Sequence, residues 1–81
     1  MTPRMSKHLY SEVELAAVAK SFREKSGKSK AALARELGVT RASMQDAEEH
    51  AERSMTSLRC RIIAACSPYR VGGPGYWLER K

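Results

Sequence analysis

Two glycines, Gly27 and Gly38, are each followed two positions later by a hydroxyl side chain, Ser29 and Thr40. This punctuation most constrains what the chain can become. Glycine adopts the left-handed conformation that ends a helix without the steric cost other residues incur, and serine or threonine accepts a hydrogen bond from a free amide of the next helix. A segment cut in this way forms short helices with corners between them. At 81 residues the chain has room for one small core. A second subunit could supplement it.

The first helix opens at Ser11. Ser11-Glu12-Val13-Glu14 is a capping box, in which the Ser11 hydroxyl and the Glu14 carboxylate each satisfy a free amide of the first turn. Leu15, Val18, Ala19 and Phe22 recur at intervals of three and four and give a core stripe that ends at Gly27. Ser29 caps helix two, whose Ala32, Leu33 and Leu37 share one face before Gly38. Thr40 caps helix three, with Met44, Ala47 and Ala51 turned inward and Arg41, Ala42, Gln45, Asp46 and Glu49 towards other sides. A fourth helix begins near Ser54 or Thr56 and carries Leu58, Ile62, Ala65 and Cys66 on one side. It ends at Ser67, because Pro68 disfavours helix in the residue before it. Arg59 and Arg61 are expected to face water.

The two ends of the chain read differently. Residues 1–10 mix Met, Pro, Lys and His without helical period, which gives an arm or a short edge strand. In residues 68–81, Tyr69 alternates with Val71 and Tyr76 with Leu78 on either side of Gly72-Gly73-Pro74-Gly75, the pattern of a hairpin or a strongly bulged strand. The expected organisation is an arm over 1–10, a helical domain over 11–67 and a β element over 68–81.

Apolar residues make up 42% of the chain and charged residues 30%, the balance of a soluble globular protein. No apolar run reaches the roughly 18 residues of a membrane span or forms a signal peptide, so the cytoplasm is the expected location. Cys60 and Cys66 fall about 240° apart around a helix, which disfavours a mutual disulfide. With His8 and His50 they form no zinc-ligand spacing. The chain has no nucleophile-base-acid set and no nucleotide loop, since Gly72 to Gly75 lacks the Lys-Ser/Thr of a P-loop. Neither an enzyme nor a cofactor is expected. The net charge is +6, and between Lys20 and Arg41 seven basic residues (Lys20, Arg23, Lys25, Lys28, Lys30, Arg35, Arg41) face only Glu24 and Glu36. Such a segment favours a polyanionic partner or is simply a solvated face. No exposed aromatic platform for RNA accompanies it.

Ala34, Gly38 and Met44 stand at relative positions 1, 5 and 11, flanked by Leu33, Leu37 and Ala47. Two short helices that cross steeply need a small residue where they approach, a glycine where the chain reverses, and apolar residues that hold the second on the first. Any small helical bundle could use this spacing. In SKAALARELGVTRASMQDAEE, from Ser29 to Glu49, with FREKSGKS upstream and a looser match in MTSLRCRII, the chain resembles the Cro/phage-repressor, or lambda-repressor-like, helix-turn-helix family. The resemblance covers roughly residues 20–66.

The resemblance implies a mainly α, compact four- to five-helix domain with a C-terminal β-hairpin or strand. It implies an ion pair between Arg23, late in helix one, and Glu48, late in helix three. Helix two would lie across a DNA backbone and helix three would enter the major groove. Ser29 and Lys30, with Lys28, would contact phosphate, and Thr40 would cap helix three and touch phosphate as well. Arg41 would read a guanine edge or contact phosphate, Ala42 would offer a methyl to thymine, and Gln45 would read adenine. Ser43 is a weaker base-contacting candidate. Asp46 departs from the usual polar or basic choice and would accept from cytosine, exclude wrong sequences or sit outside contact. Arg53 is a phosphate clamp or a solvated surface residue.

The implied partner is double-stranded DNA, bound as a homodimer on a palindromic operator, with Tyr69, Val71, Tyr76, Trp77 and Leu78 forming the dimer contact or covering the chain's own helices. The competing expectation is a helix-turn-helix antitoxin or adaptor whose C-terminal tail binds a protein.

Overall fold

The computed structural model describes residues 9–73 and 75–81. Four helices are followed by a hairpin: α1 Glu12–Ser26, α2 Lys30–Leu37, α3 Arg41–Glu49, α4 Thr56–Cys66, β1 Tyr69–Gly72 and β2 Trp77–Arg80. Apart from Leu9 and Tyr10, the expected N-terminal arm lies outside the described residues, as does Pro74 in the glycine-rich turn.

The caps form where the sequence places them. Ser11 and Glu14 make the reciprocal capping box on α1, and Ser29 and Thr40 accept from Ala32 N–H and Ser43 N–H at 3.0 Å each. Gly27 and Gly38 take the left-handed conformation at φ +80° and +72°. After Gly38 the chain turns back, with the amides of Gly38 and Val39 donating to the carbonyls of Arg35 and Ala34. This closes α2 and delivers Thr40 to the start of α3 within two residues.

The core joins Leu15 and Ala19 of α1, Leu33 and Ala34 of α2, Met44 and Ala47 of α3, and Ile62 and Ile63 of α4. Val18, Phe22, Leu37, Leu58, Ala65 and Cys66 pack around it half-buried. β1 and β2 pair antiparallel, Tyr69 with Arg80 and Val71 with Leu78, and β1 lies on α4. Cys60 and Cys66 are free thiols, and burial pushes the Cys60 thiol up. Among the described residues, no helix is long and apolar enough to cross a membrane.

Several expectations need correction. Ala32 is exposed, and the buried pair of α2 is Leu33 and Ala34, because α2 meets the core along the row that continues to Leu37. α3 ends at Glu49, so Ala51 lies beyond it. Tyr76 belongs to the turn, at φ +46°, and not to a strand; its carbonyl accepts from Tyr10 N–H at 2.8 Å. Ile63 is fully buried beside Ile62, since α4 is covered by α1 on one side and β1 on another.

The largest correction is Arg59, which does not face water and is fully buried. Its Nε donates to the Ala47 carbonyl and one terminal nitrogen to the His50 carbonyl, both at 2.9 Å. These carbonyls lie at the C-terminal end of α3, where helical carbonyls run out of donors and the helix dipole favours a cation; that of His50 also accepts from Arg53 N–H at 2.9 Å. The other terminal nitrogen, which makes no hydrogen bond, lies 3.8 Å from Glu12 Oε1, and Thr56 donates to the same carboxylate oxygen. One side chain therefore joins α4 to the end of α3 and to the start of α1. Arg59→Ala is expected to lower the free energy of unfolding in urea by about 3 kcal/mol, by opening a cavity and leaving the Ala47 carbonyl without its donor. A change below about 0.5 kcal/mol, the range of ordinary surface substitutions, would contradict this role.

Candidate functional site

The back of α3 is held by Met44, Ala47 and Glu48, all buried. Glu48 meets Arg23 of α1 in a two-pronged ion pair: Arg23 Nε donates to Oε2 at 2.5 Å and a terminal nitrogen to Oε1 at 3.0 Å. The remaining terminal nitrogen of Arg23 donates to the Lys28 carbonyl at 2.8 Å, so the same guanidinium also pins the α1–α2 loop. Donating to the Glu48 carboxylate raises the Arg23 pKa, and the planar fork matches both carboxylate oxygens, which a lysine could not do.

With its back fixed, α3 turns Arg41, Ala42 and Gln45 to solvent, where they line one shallow concavity. Arg41 and Gln45 are four residues apart and share a helix face. Arg41 makes no hydrogen bond or ion pair with any described residue. Ser43 is half-buried and tied to the cap, its hydroxyl accepting from Thr40 Oγ1 at 2.9 Å.

Asp46 lies 3.4 Å from Arg53 Nη1 and 3.8 Å from His50 Nε2. The Asp46 carboxylate is thus engaged from the C-terminal side of α3, and Arg53 is its partner. Lys28 pairs with Glu36 at 3.0 Å, while Ser29 serves as the α2 cap. Lys30 Nζ donates to Gln45 Oε1 at 2.5 Å and lies 3.6 Å from Glu49, which pairs with Lys20 at 2.8 Å. The hydrogen bond from Lys20 holds Glu49 below the usual carboxylate range, so it is ionised at neutral pH.

The basic segment is therefore less open than the sequence suggests. Lys20, Arg23, Lys28 and Lys30 all face carboxylates, and among the described residues only Lys25, Arg35 and Arg41 of the seven lack an ion-pair partner. The acids that face Lys20, Arg23 and Lys30, namely Glu48 and Glu49, lie beyond the stretch in which the charge is counted, and only the fold brings them back.

The hairpin residues separate into two roles. Val71, Tyr76 and Leu78 pack against the core, and the Tyr69 ring stands 6.0 Å from that of Phe22, with Arg80 on Tyr69 at 5.6 Å. Trp77 lies over Gly72, where an added Cβ would come within 2.4 Å of the indole nitrogen. All five residues are half-buried. Leu9 and Val13 are exposed.

Comparisons of the chain with protein-family models, curated proteins and solved structures gave no match in any of the three.

Removing either partner of the Arg23–Glu48 pair leaves a buried charge. Arg23→Ala and Glu48→Ala are each expected to cost on the order of 3 kcal/mol in urea unfolding, and Arg23→Met with Glu48→Leu together to recover most of it. Equal and additive losses in the double variant would contradict a coupled buried pair.

Proposed function

We propose that the chain is a sequence-specific double-stranded DNA-binding regulator of the Cro/phage-repressor helix-turn-helix type. In this reading α2 lies along the phosphate backbone and α3 reads the major groove as a recognition helix. The observation that carries it is the pairing of a fixed back with a free front. Met44, Ala47 and Glu48 are buried, while Arg41, Ala42 and Gln45 stand exposed side by side and Arg41 has no partner among the described residues. A free guanidinium in the first turn of such a helix is suited to the O6 and N7 of guanine, a contact worth about 1 to 3 kcal/mol of discrimination. The Ala42 methyl adds an apolar contact suited to thymine.

Phosphate contacts fall to Lys30, Ser29 and Thr40 around the starts of α2 and α3. Arg53 and Lys28 would join them by exchanging exposed carboxylate partners for phosphate, at little cost because exposed ion pairs contribute about 0 to 1 kcal/mol. Asp46, which lies beside Arg53 and His50 in the free protein, serves in this reading as a local counter-charge and not as a base reader.

The protein binds as a homodimer in this reading, because one α3 reaches only a few base pairs. The hairpin supports it: among the described residues each strand pairs only with the other, which leaves two outer edges, and Trp77 is half-buried beside them.

Selection of bound duplexes from a random pool tests the proposal. The expected product is a palindrome with half-sites one DNA turn apart, and Arg41→Ala loses preference at one base per half-site with little change in salt dependence. Uniform weakening over all sequences would make Arg41 a phosphate contact, an unpaired half-site would overturn the dimer, and no recoverable site would overturn sequence-specific binding.

A further inference from the structure

Gln45 carries the only side-chain amide of the chain, and its two ends are not equally available. An unencumbered glutamine offers a donor and an acceptor together, the pattern that matches the N7 and N6 amino group of adenine. Here the oxygen end is occupied by Lys30 Nζ at 2.5 Å. The assignment of oxygen to that end follows from chemistry, since an ammonium has only donors and must face the acceptor. Lys30 is well placed to hold it: its side chain is 21% exposed, and its ammonium lies 3.6 Å from Glu49, which Lys20 braces from α1. The Gln45 nitrogen has no partner among the described residues and belongs to an exposed side chain.

A base amino group approaching Gln45 Oε1 would compete with the ammonium for the same lone pairs and meet its positive charge. A base acceptor approaching Nε2 meets neither obstacle, and the nearby charge attracts it. One helical turn earlier on the same face stands Arg41, another donor without acceptor capacity.

Resting on the reading of α3 as a DNA-recognition helix, we propose that Lys30 is a specificity-determining positioning residue. It holds the oxygen of Gln45 and converts that amide from an adenine-matching group into a donor-only reader. The reading face of α3 is then matched to acceptor-rich edges, guanine N7 and O6, at the Gln45 position as well as at the Arg41 position. This replaces the adenine contact expected for Gln45 from its residue type alone.

The test compares duplexes selected from a random pool by the wild-type chain, Lys30→Met and Gln45→Ala, together with the side-chain amide resonance of Gln45 in the free wild-type and Lys30→Met proteins. Methionine keeps the aliphatic stem and helix propensity of position 30, so the fold is retained. The wild type is expected to prefer guanine over adenine about tenfold at one position beyond that of Arg41. Gln45→Ala abolishes that preference, and Lys30→Met brings adenine to parity or above it while shifting the Gln45 amide resonance in the absence of DNA. A Gln45-dependent preference for adenine already present in the wild type, or a guanine preference that survives in Lys30→Met, would overturn the proposal and leave DNA reading intact, as would an amide resonance indifferent to Lys30. No preferred sequence for the wild type would overturn DNA reading itself and this proposal with it.

Discussion

The contact between Arg23 and Glu48 fixes what α3 can present. Helices of eight and nine residues, such as α2 and α3, have little stability of their own, so their orientation comes from what they pack against. Met44 and Ala47 supply apolar contact, which is non-directional and leaves rotation about the helix axis weakly determined. The two-pronged hydrogen bonding of Arg23 to Glu48 supplies direction, and the third bond to the Lys28 carbonyl ties the same guanidinium to the loop that leads into α2. Arg59 does corresponding work at the same C-terminal end of α3, bonding the Ala47 and His50 carbonyls from within the core. Held along its back and at its C-terminal end, α3 is left with an open first turn.

Charge is distributed by the same logic. The carboxylates late in α3 draw in Arg23, Lys20 and Lys30, and so a segment strongly basic in sequence is partly neutralised in space. The uncompensated cations near α3 are few, Arg41 foremost. On the proposed reading, attraction to the DNA backbone is then modest and discrimination rests on a small donor-rich face. A sequence-selective regulator differs in this respect from a protein that coats DNA through charge alone.

Much of this was legible in the sequence wherever structure is set locally. Ser11, Ser29 and Thr40 cap helices, and Gly27 and Gly38 end them, because cap chemistry depends only on neighbours along the chain. The Arg23–Glu48 contact was legible only through the family resemblance, since nothing local connects residues 25 positions apart. Arg59 was not legible. An arginine on an amphipathic helix ordinarily faces water, and here it is buried because it bonds carbonyls at the end of another helix. Ile63 and Tyr76 were missed for related reasons: α4 is covered on two sides, and the hairpin reverses through a tyrosine with positive φ that an alternating pattern assigns to a strand. At the candidate site, the exposure of Arg41, Ala42 and Gln45 followed from helical period, whereas the pairings of Lys28, Lys30, Asp46 and Arg53 came from tertiary geometry.

The most direct test of the central claim, that α3 is a fixed scaffold with its first turn free to meet DNA, is a map of backbone amide shifts on titration with duplex DNA. The account predicts the largest changes at residues 29–30 and 40–45, with small changes along the hairpin over 69–80. Changes concentrated on the hairpin, with the first turn of α3 unmoved, would contradict it.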